Sequence, residues 1–161
     1  MISAVRQKLA EMDKTGCEWK SLHFQEYGKG VKLTPSEEGL AIKILVDGCM
    51  INDASTRCDC LYFYQKSKDR YAFLVELKGN NYQHALTQLS ETIKHENIIT
   101  LLNAAKPNKN KVIAVAIVSE KAKTNRPRKE KWEKANNLRL RTIPLADDKT
   151  FDLKELVKLK E

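Results

Sequence analysis

Apolar residues at three- and four-residue steps open the chain. Ile2, Val5, Leu9 and Met12 form one stripe of a short helix over 2–14. Residues 15–34 place three glycines among aromatic and charged side chains and read as loops and short elements. Thr34-Pro35-Ser36-Glu37-Glu38 carries the cap, proline and acids of a helix start, although Gly39 leaves that helix little room. From Ala41 the period changes to two. Ile42, Ile44 and Val46 alternate with their neighbours, and Asp47-Gly48 offers a turn before Cys49-Met50-Ile51. Arg57–Gln65 and Arg70–Lys78 are aromatic and aliphatic strands separated by the polar loop Lys66-Ser67-Lys68-Asp69, which predicts an antiparallel hairpin. Both strands are apolar on both faces, as central strands covered on two sides are.

Gly79-Asn80-Asn81 ends the second strand and caps a helix whose face is Tyr82, Ala85, Leu86, Leu89 and Ile93, continuing to Ala105. After the break at Pro107–Asn110, Lys111–Ser119 is the most hydrophobic segment, a buried strand expected to lie parallel to a neighbour because a helix leads into it. Residues 120–137 are basic and polar, with a short helix over Lys129–Asn136. Leu138–Leu145 makes a last strand, and Phe151–Lys160 a small amphipathic helix. The expected fold class is α/β: one domain over 1–161 with a mixed central β-sheet flanked by helices.

Length supports one domain, since 161 residues leave no room for two of ordinary size. A hydrophobic share of 42% builds a core and excludes a disordered chain. The longest apolar run, Val112 to Val118, is far shorter than the roughly 20 residues that cross a bilayer, so no membrane partner is expected. The N-terminal stretch lacks the apolar core of a secretion signal, which makes a cytoplasmic location the expectation. On that reading Cys17, Cys49, Cys58 and Cys60 are reduced thiols. The net charge of +8 is uneven: residues 1–80 hold 12 basic and 11 acidic side chains, residues 81–161 hold 17 and 10. A basic half attracts polyanions, of which nucleic acid is the commonest in a cell.

The chemistry concentrates in the hairpin, where Asp59 lies in Cys58-Asp59-Cys60-Leu61-Tyr62-Phe63, and Glu76 and Lys78 lie in Phe73-Leu74-Val75-Glu76-Leu77-Lys78-Gly79. A charge inside a central strand costs several kcal/mol unless it is paired. Glu76 and Lys78 are two apart and share a face. A loop centred on residues 66–69 puts Asp59 at the level of Glu76. Two readings follow. One is a buried salt bridge of Lys78 with either acid. The other is a cation between two carboxylates, and oxygen ligands suit Mg²⁺ or Mn²⁺.

Asp59, a sixteen-residue spacer and Glu76-Leu77-Lys78, with a hairpin between and a helix after, resemble the PD-(D/E)xK nuclease superfamily. The element order over about residues 36–119 also resembles its αβββαβ restriction-endonuclease-like core, with 120–137 a basic segment and 138–161 a C-terminal strand and helix outside it. The resemblance implies a metal-dependent nuclease that cuts phosphodiester bonds, DNA before RNA, with Mg²⁺ or Mn²⁺ held by Asp59, Glu76 and the backbone carbonyl of Leu77. Lys78 would orient or deprotonate water, or balance charge on the phosphate. Cys58 stands where the motif has proline. The superfamily's further acid, from the preceding helix, would be Glu38, with Glu37 next, and its polar residue on the following helix Gln88, with Gln83 the other choice. A core this small would take its targeting from dimerisation or a partner protein. The alternative is an inactive nuclease fold that binds nucleic acid or another protein.

Lys121, Lys123, Arg126, Arg128, Lys129, Lys131 and Lys134 place seven basic residues in fourteen around Trp132. They read either as a solvated surface or as a clamp on the phosphate backbone. Cys58-Asp59-Cys60 is poor zinc spacing, with both thiols expected on the face opposite Asp59. His23, His84 and His95 read as solvent-facing, and no nucleophile–histidine–acid set or phosphate-binding glycine loop is present.

Overall fold

The computed structural model describes residues 1–158. Helix α1 (Ile2–Glu11) leads through a 3₁₀ turn at Thr15–Cys17 into strands β1 (Glu18–Trp19), β2 (His23–Glu26), β3 (Lys29–Lys32), β4 (Leu40–Leu45), β5 (Cys60–Lys66) and β6 (Asp69–Leu77). Then follow α2 (Tyr82–Lys94), α3 (Glu96–Ala105), β7 (Val112–Ser119), α4 (Arg126–Asn136), β8 (Arg139–Leu145), β9 (Thr150–Asp152) and α5 (Lys154–Lys158). Strands in the order β1-β4-β5-β6-β7-β8 form a mixed six-stranded sheet, and β2-β3-β9 form a smaller one. The hairpin has the expected register, with Cys60 opposite Val75 and Lys66 opposite Asp69. Strands β6, β7 and β8 run parallel, so β6 and β7 finish at the same end of the sheet.

Strand alternation sorts the core into two layers. On one face Ile44, Leu61, Phe63, Leu74, Ala114 and Ala116 pack beneath the helices, joined by Val5, Leu89, Ile98 and Trp132. On the other, Tyr62, Phe73, Val75 and Val115 meet Val31 and Leu33 of the small sheet, with Leu153 and Leu156. The central strands are therefore covered on both sides and made of long apolar runs, as the sequence predicts.

Several expectations are corrected. Residues 34–38 form no helix but an irregular segment and a turn, and the chain enters β4 directly after Gly39, where a Cβ would strike the Tyr64 ring. The helix expected over 82–105 is two. His95 is extended (φ −70°, ψ 135°), and its side chain caps the second by accepting from the Asn97 N–H. In residues 15–34 the short elements expected between loops are a 3₁₀ turn and three short strands. The basic helix starts at Arg126, where Asn125 caps it and Pro127 occupies its first turn, rather than at Lys129. At the C-terminus Thr150–Asp152 is a strand, and the last residues of the helix expected to reach Lys160 lie outside the described residues. Cys17 and Cys49 are not reduced thiols: they form a disulfide with Cα atoms 5.6 Å apart, tying the segment before β1 to the loop after β4. Cys58 and Cys60 are free and buried. They fall in opposite layers of the core rather than on one face, since the chain around Cys58 has not yet become regular strand. Among the described residues no helix is long and apolar enough to cross a membrane.

Candidate functional site

Asp59 is the residue before β5, and backbone contacts hold it from two sides. Its carbonyl accepts from the N–H groups of Val46 (3.1 Å) and Asp47 (3.3 Å) at the end of β4, and its own N–H donates to Val75 of β6 (3.1 Å). Its Oδ2 accepts from the Leu77 N–H at 2.7 Å. Glu76 lies one residue short of the end of β6. Asp59 and Glu76 are 6% and 1% exposed, which few acids tolerate without a partner. Burial holds the Asp59 carboxyl well above the usual carboxylate range. The Leu77 N–H opposes this, and Glu26 raises it further both as a hydrogen-bond partner and as a charge. Burial likewise raises Glu76, followed by the charge of Asp59, while Lys78 pulls it down. Glu76 Oε2 is buried with no hydrogen-bond partner.

Lys78 is half-buried, and its N–H donates to the Ile117 carbonyl of β7 at 2.8 Å. The N–H and C=O of one extended residue point to the same side of a strand. Since the Leu77 N–H faces Asp59, the Leu77 carbonyl faces that side too. Gln88 does not reach the acids directly: its Nε2 donates to the Arg57 carbonyl at 3.1 Å, and its Oε1 is buried without a partner. Four residues on, Thr92 Oγ1 accepts from the Cys58 N–H at 2.7 Å. Helix α2 thus holds the two residues that lead into Asp59, Arg57 through Gln88 and Cys58 through Thr92. Burial pushes the thiols of Cys58 and Cys60 far up.

Glu38 is not brought to the site. It is exposed in the turn before β4, whose first residue Leu40 pairs with Gln65 near the hairpin loop, at the opposite end of the sheet from Asp59. Glu37 is exposed in the same turn. The third acid beside Asp59 is Glu26, which sequence reasoning missed. It stands at the tip of the β2–β3 hairpin opposite Lys29, and the two-residue turn Tyr27-Gly28 has φ +54° and +70°. Two positive φ values are the signature of a type I′ turn, and a glycine at its second position was the available signal. Lys43 secures this hairpin to the sheet. Its fully buried ammonium donates to the His23 carbonyl at 2.5 Å and lies over the Trp19 and Phe24 rings. Lys29 is also buried and pairs with Asp147 at 2.8 Å, linking the hairpin to the chain after β8.

The basic segment begins at the same end. Ser119 donates to the Gly79 carbonyl at 2.9 Å, so Lys121 and Lys123 leave the sheet beside Lys78 and are exposed. On α4, Arg126 pairs with Glu130 (2.9 Å) and Lys129 with Glu133 (3.9 Å). Arg128 and Lys131 face a groove against α2 instead. Lys134 is exposed on the last turn.

A cation fits the acids in one respect above all: a buried carboxyl oxygen of Glu76, beside another acid, has no hydrogen-bond partner. Among the described residues no three histidine, cysteine or acidic side chains are grouped to enclose an ion. That leaves two carboxylates and a backbone carbonyl, the kind of set from which Mg²⁺ keeps several waters and takes substrate phosphate oxygens. Comparison with protein-family models, with curated proteins and with solved structures finds no match to this chain.

Proposed function

We propose that the chain is a metal-dependent nuclease that hydrolyses phosphodiester bonds in nucleic acid, DNA before RNA. The observation that carries this is the buried Asp59–Glu76 pair, with Glu76 Oε2 unsatisfied and Lys78 on the same strand face at the end of a central strand. With β1–β3 set aside as an insertion after α1 and α3 as one after α2, the elements run α1–β4–β5–β6–α2–β7, which supports this reading as the αβββαβ order of a restriction-endonuclease-like core. On this reading α1 supplies the first helix of that order, since residues 34–38 form none. The site also lies beyond the carboxyl ends of parallel strands, where ligands of such sheets bind.

Asp59, Glu76 and the Leu77 carbonyl would hold Mg²⁺ or Mn²⁺. When bound, the ion supplies charge neutralisation of the phosphate and acidifies a bound water. The protein's own part is placement. Leu77 fixes the Asp59 carboxylate through its N–H, and α2 fixes the approach to Asp59 through Gln88 and Thr92. Lys78, on the same face as Glu76, holds the attacking water or balances charge that grows on a phosphate oxygen. Glu26 adds a third negative charge beside Asp59, which draws a cation in and makes the empty site costly.

One observation favours a second reading, a nuclease fold that binds nucleic acid without cutting it. Asp59 already has a backbone donor and a carboxyl neighbour, and a proton could stand in for the cation. Incubating supercoiled DNA, linear single- and double-stranded DNA and RNA with Mg²⁺, Mn²⁺ or EDTA separates the two. The nuclease reading expects metal-dependent cleavage of DNA that Lys78→Ala slows about 100- to 1,000-fold. Salt-sensitive binding without cleavage under every condition would leave the binding module.

A further inference from the structure

Helices α2 and α4 lie side by side, held by the Trp132 Nε1–H donating to the Leu86 carbonyl at 2.9 Å and by Ser90 Oγ with Asn136 Oδ1 at 3.1 Å. Both pairings advance in the same direction along the chain, so the helices run parallel. Their N-termini both lie where β6 and β7 end, because α2 starts four residues after Lys78 and α4 follows the loop from Ser119. Between them runs an open groove of about 640 Å³, within the size range of ligand-binding clefts. Its walls include the apolar side chains of Leu86, Pro127, Trp132 and Ala135; Arg128 and Lys131 stand among them on α4, and Glu91, on the α2 side, is the one acid among the described residues that line it.

The cations of α4 divide by direction. Arg126 and Lys129 are each tied to a glutamate one turn on along the same helix. Arg128 and Lys131, three residues apart, share the groove side, and neither forms an ion pair among the described residues. An apolar floor bordered by two cations matches a chain that alternates a flat apolar ring with a phosphate. That chemistry is a single-stranded polynucleotide, which binds by base contact and backbone charge together. A duplex hides its bases, and an apolar peptide would leave both cations unanswered.

We propose that the α2–α4 groove is the path of a single-stranded segment of the substrate, with phosphates on Arg128 and Lys131 and a base against the exposed Pro127 and Ala135. The inference rests on the nucleic-acid reading of the neighbouring site and deepens it. It makes the substrate one with a single-stranded segment, whether a tail, a gap, an end or the stretch that opens in supercoiled DNA, whose strand leaves the acids at the groove's mouth near Gln83 and Asn125. Arg126 and Lys129, which the sequence places in the same clamp, fall outside this path.

The test is binding of a labelled short oligothymidylate to the full chain in EDTA, followed by anisotropy as a function of salt. Working without metal keeps the outcome independent of cleavage: a protein that cuts nothing can still pass, and an active nuclease can still fail. Arg128→Ala/Lys131→Ala is expected to reduce the slope of log affinity against log salt by about 1.4, two phosphate contacts at about 0.7 each on a single strand. Arg126→Ala/Lys129→Ala should leave the slope within experimental error. A blunt duplex of the same length should respond to neither pair. All four are surface changes to a good helix former, and circular dichroism confirms that the helices persist. Equal losses from both double variants would overturn the inference in favour of a diffuse basic field. No loss from either, no binding of the oligothymidylate, or an equal effect on the duplex would also overturn it.

Discussion

Asp59 and Glu76 hold their protons to high pH for the same reason that they suit a cation: each is buried, and each faces another acid. The consequence for stability has a definite sign. Their folded-state pKa values, about 8 and about 9, lie above the values of about 4 in an unfolded chain, so the metal-free folded protein binds more protons over that range. Stability then falls as pH rises from about 4 towards 9. Thermal melts in EDTA across that range should show the decline, and saturating Mn²⁺ should flatten it. Glu76→Gln, which keeps a neutral side chain at all pH, should remove part of the slope without metal. A pH-independent melt would mean that the pair is not buried against itself.

Glu26→Gln separates charge from shape at the hairpin tip. It relieves repulsion beside Asp59, so the metal-free protein should melt higher at pH 8 than the unaltered chain. It should also weaken Mn²⁺ binding by about 10- to 100-fold, the usual cost of altering a group just outside the ligands, which calorimetric titration measures. A rise in stability with no loss of affinity would assign Glu26 to the fold alone.

At the scale of elements, the site depends on how α2 and the β2–β3 hairpin are anchored. Asn81 caps α2 by accepting from the His84 N–H at 3.0 Å, three residues after Lys78. Asn81→Ala should cost about 1 kcal/mol, a fall of about 2–4 °C in melting temperature for a domain of this size. The Cys17–Cys49 disulfide closes a loop across 32 positions, so reductant should lower stability by about 3–4 kcal/mol if loop entropy sets its value. Unchanged melting in dithiothreitol would show that the bridge is absent from the folded protein.

These elements also show what the sequence could and could not reveal. The β5–β6 hairpin was legible because a polar four-residue loop separates two apolar runs, which sets the register that brings Asp59 level with Glu76. Asn81 was legible as a cap because glycine and asparagine end the strand just before a helical stripe. Glu26 was not, because β2 and β3 are short, mostly polar strands held by Lys43 and by β9 from the far end of the chain. No local pattern carries a contact of that range. The 34–38 segment failed in the opposite way: its cap, proline and acids are all present, but the turn at Glu37–Glu38 runs straight into β4 at Leu40 and leaves a helix no length.

Over the whole molecule, three layers converge on one end of the six-stranded sheet. The helices bring Gln88, Thr92 and the α2–α4 groove, the central strands bring Asp59, Glu76 and Lys78, and the small sheet brings Glu26 and Lys29. The excess of positive charge in the second half of the chain leaves the sheet at that same end, through Lys121 and Lys123 into α4. Acidic groups are concentrated where a cation would sit and basic groups where a phosphate backbone would lie. The measurement that tests this most directly is cleavage of supercoiled DNA in Mg²⁺ by the unaltered chain beside Glu76→Gln. The substitution replaces a carboxyl that is neutral without metal, so folding should survive while a cation ligand is lost. The account predicts nicking by the unaltered chain, abolished by EDTA and reduced about 1,000-fold in the variant. Equal cleavage by both proteins would contradict it.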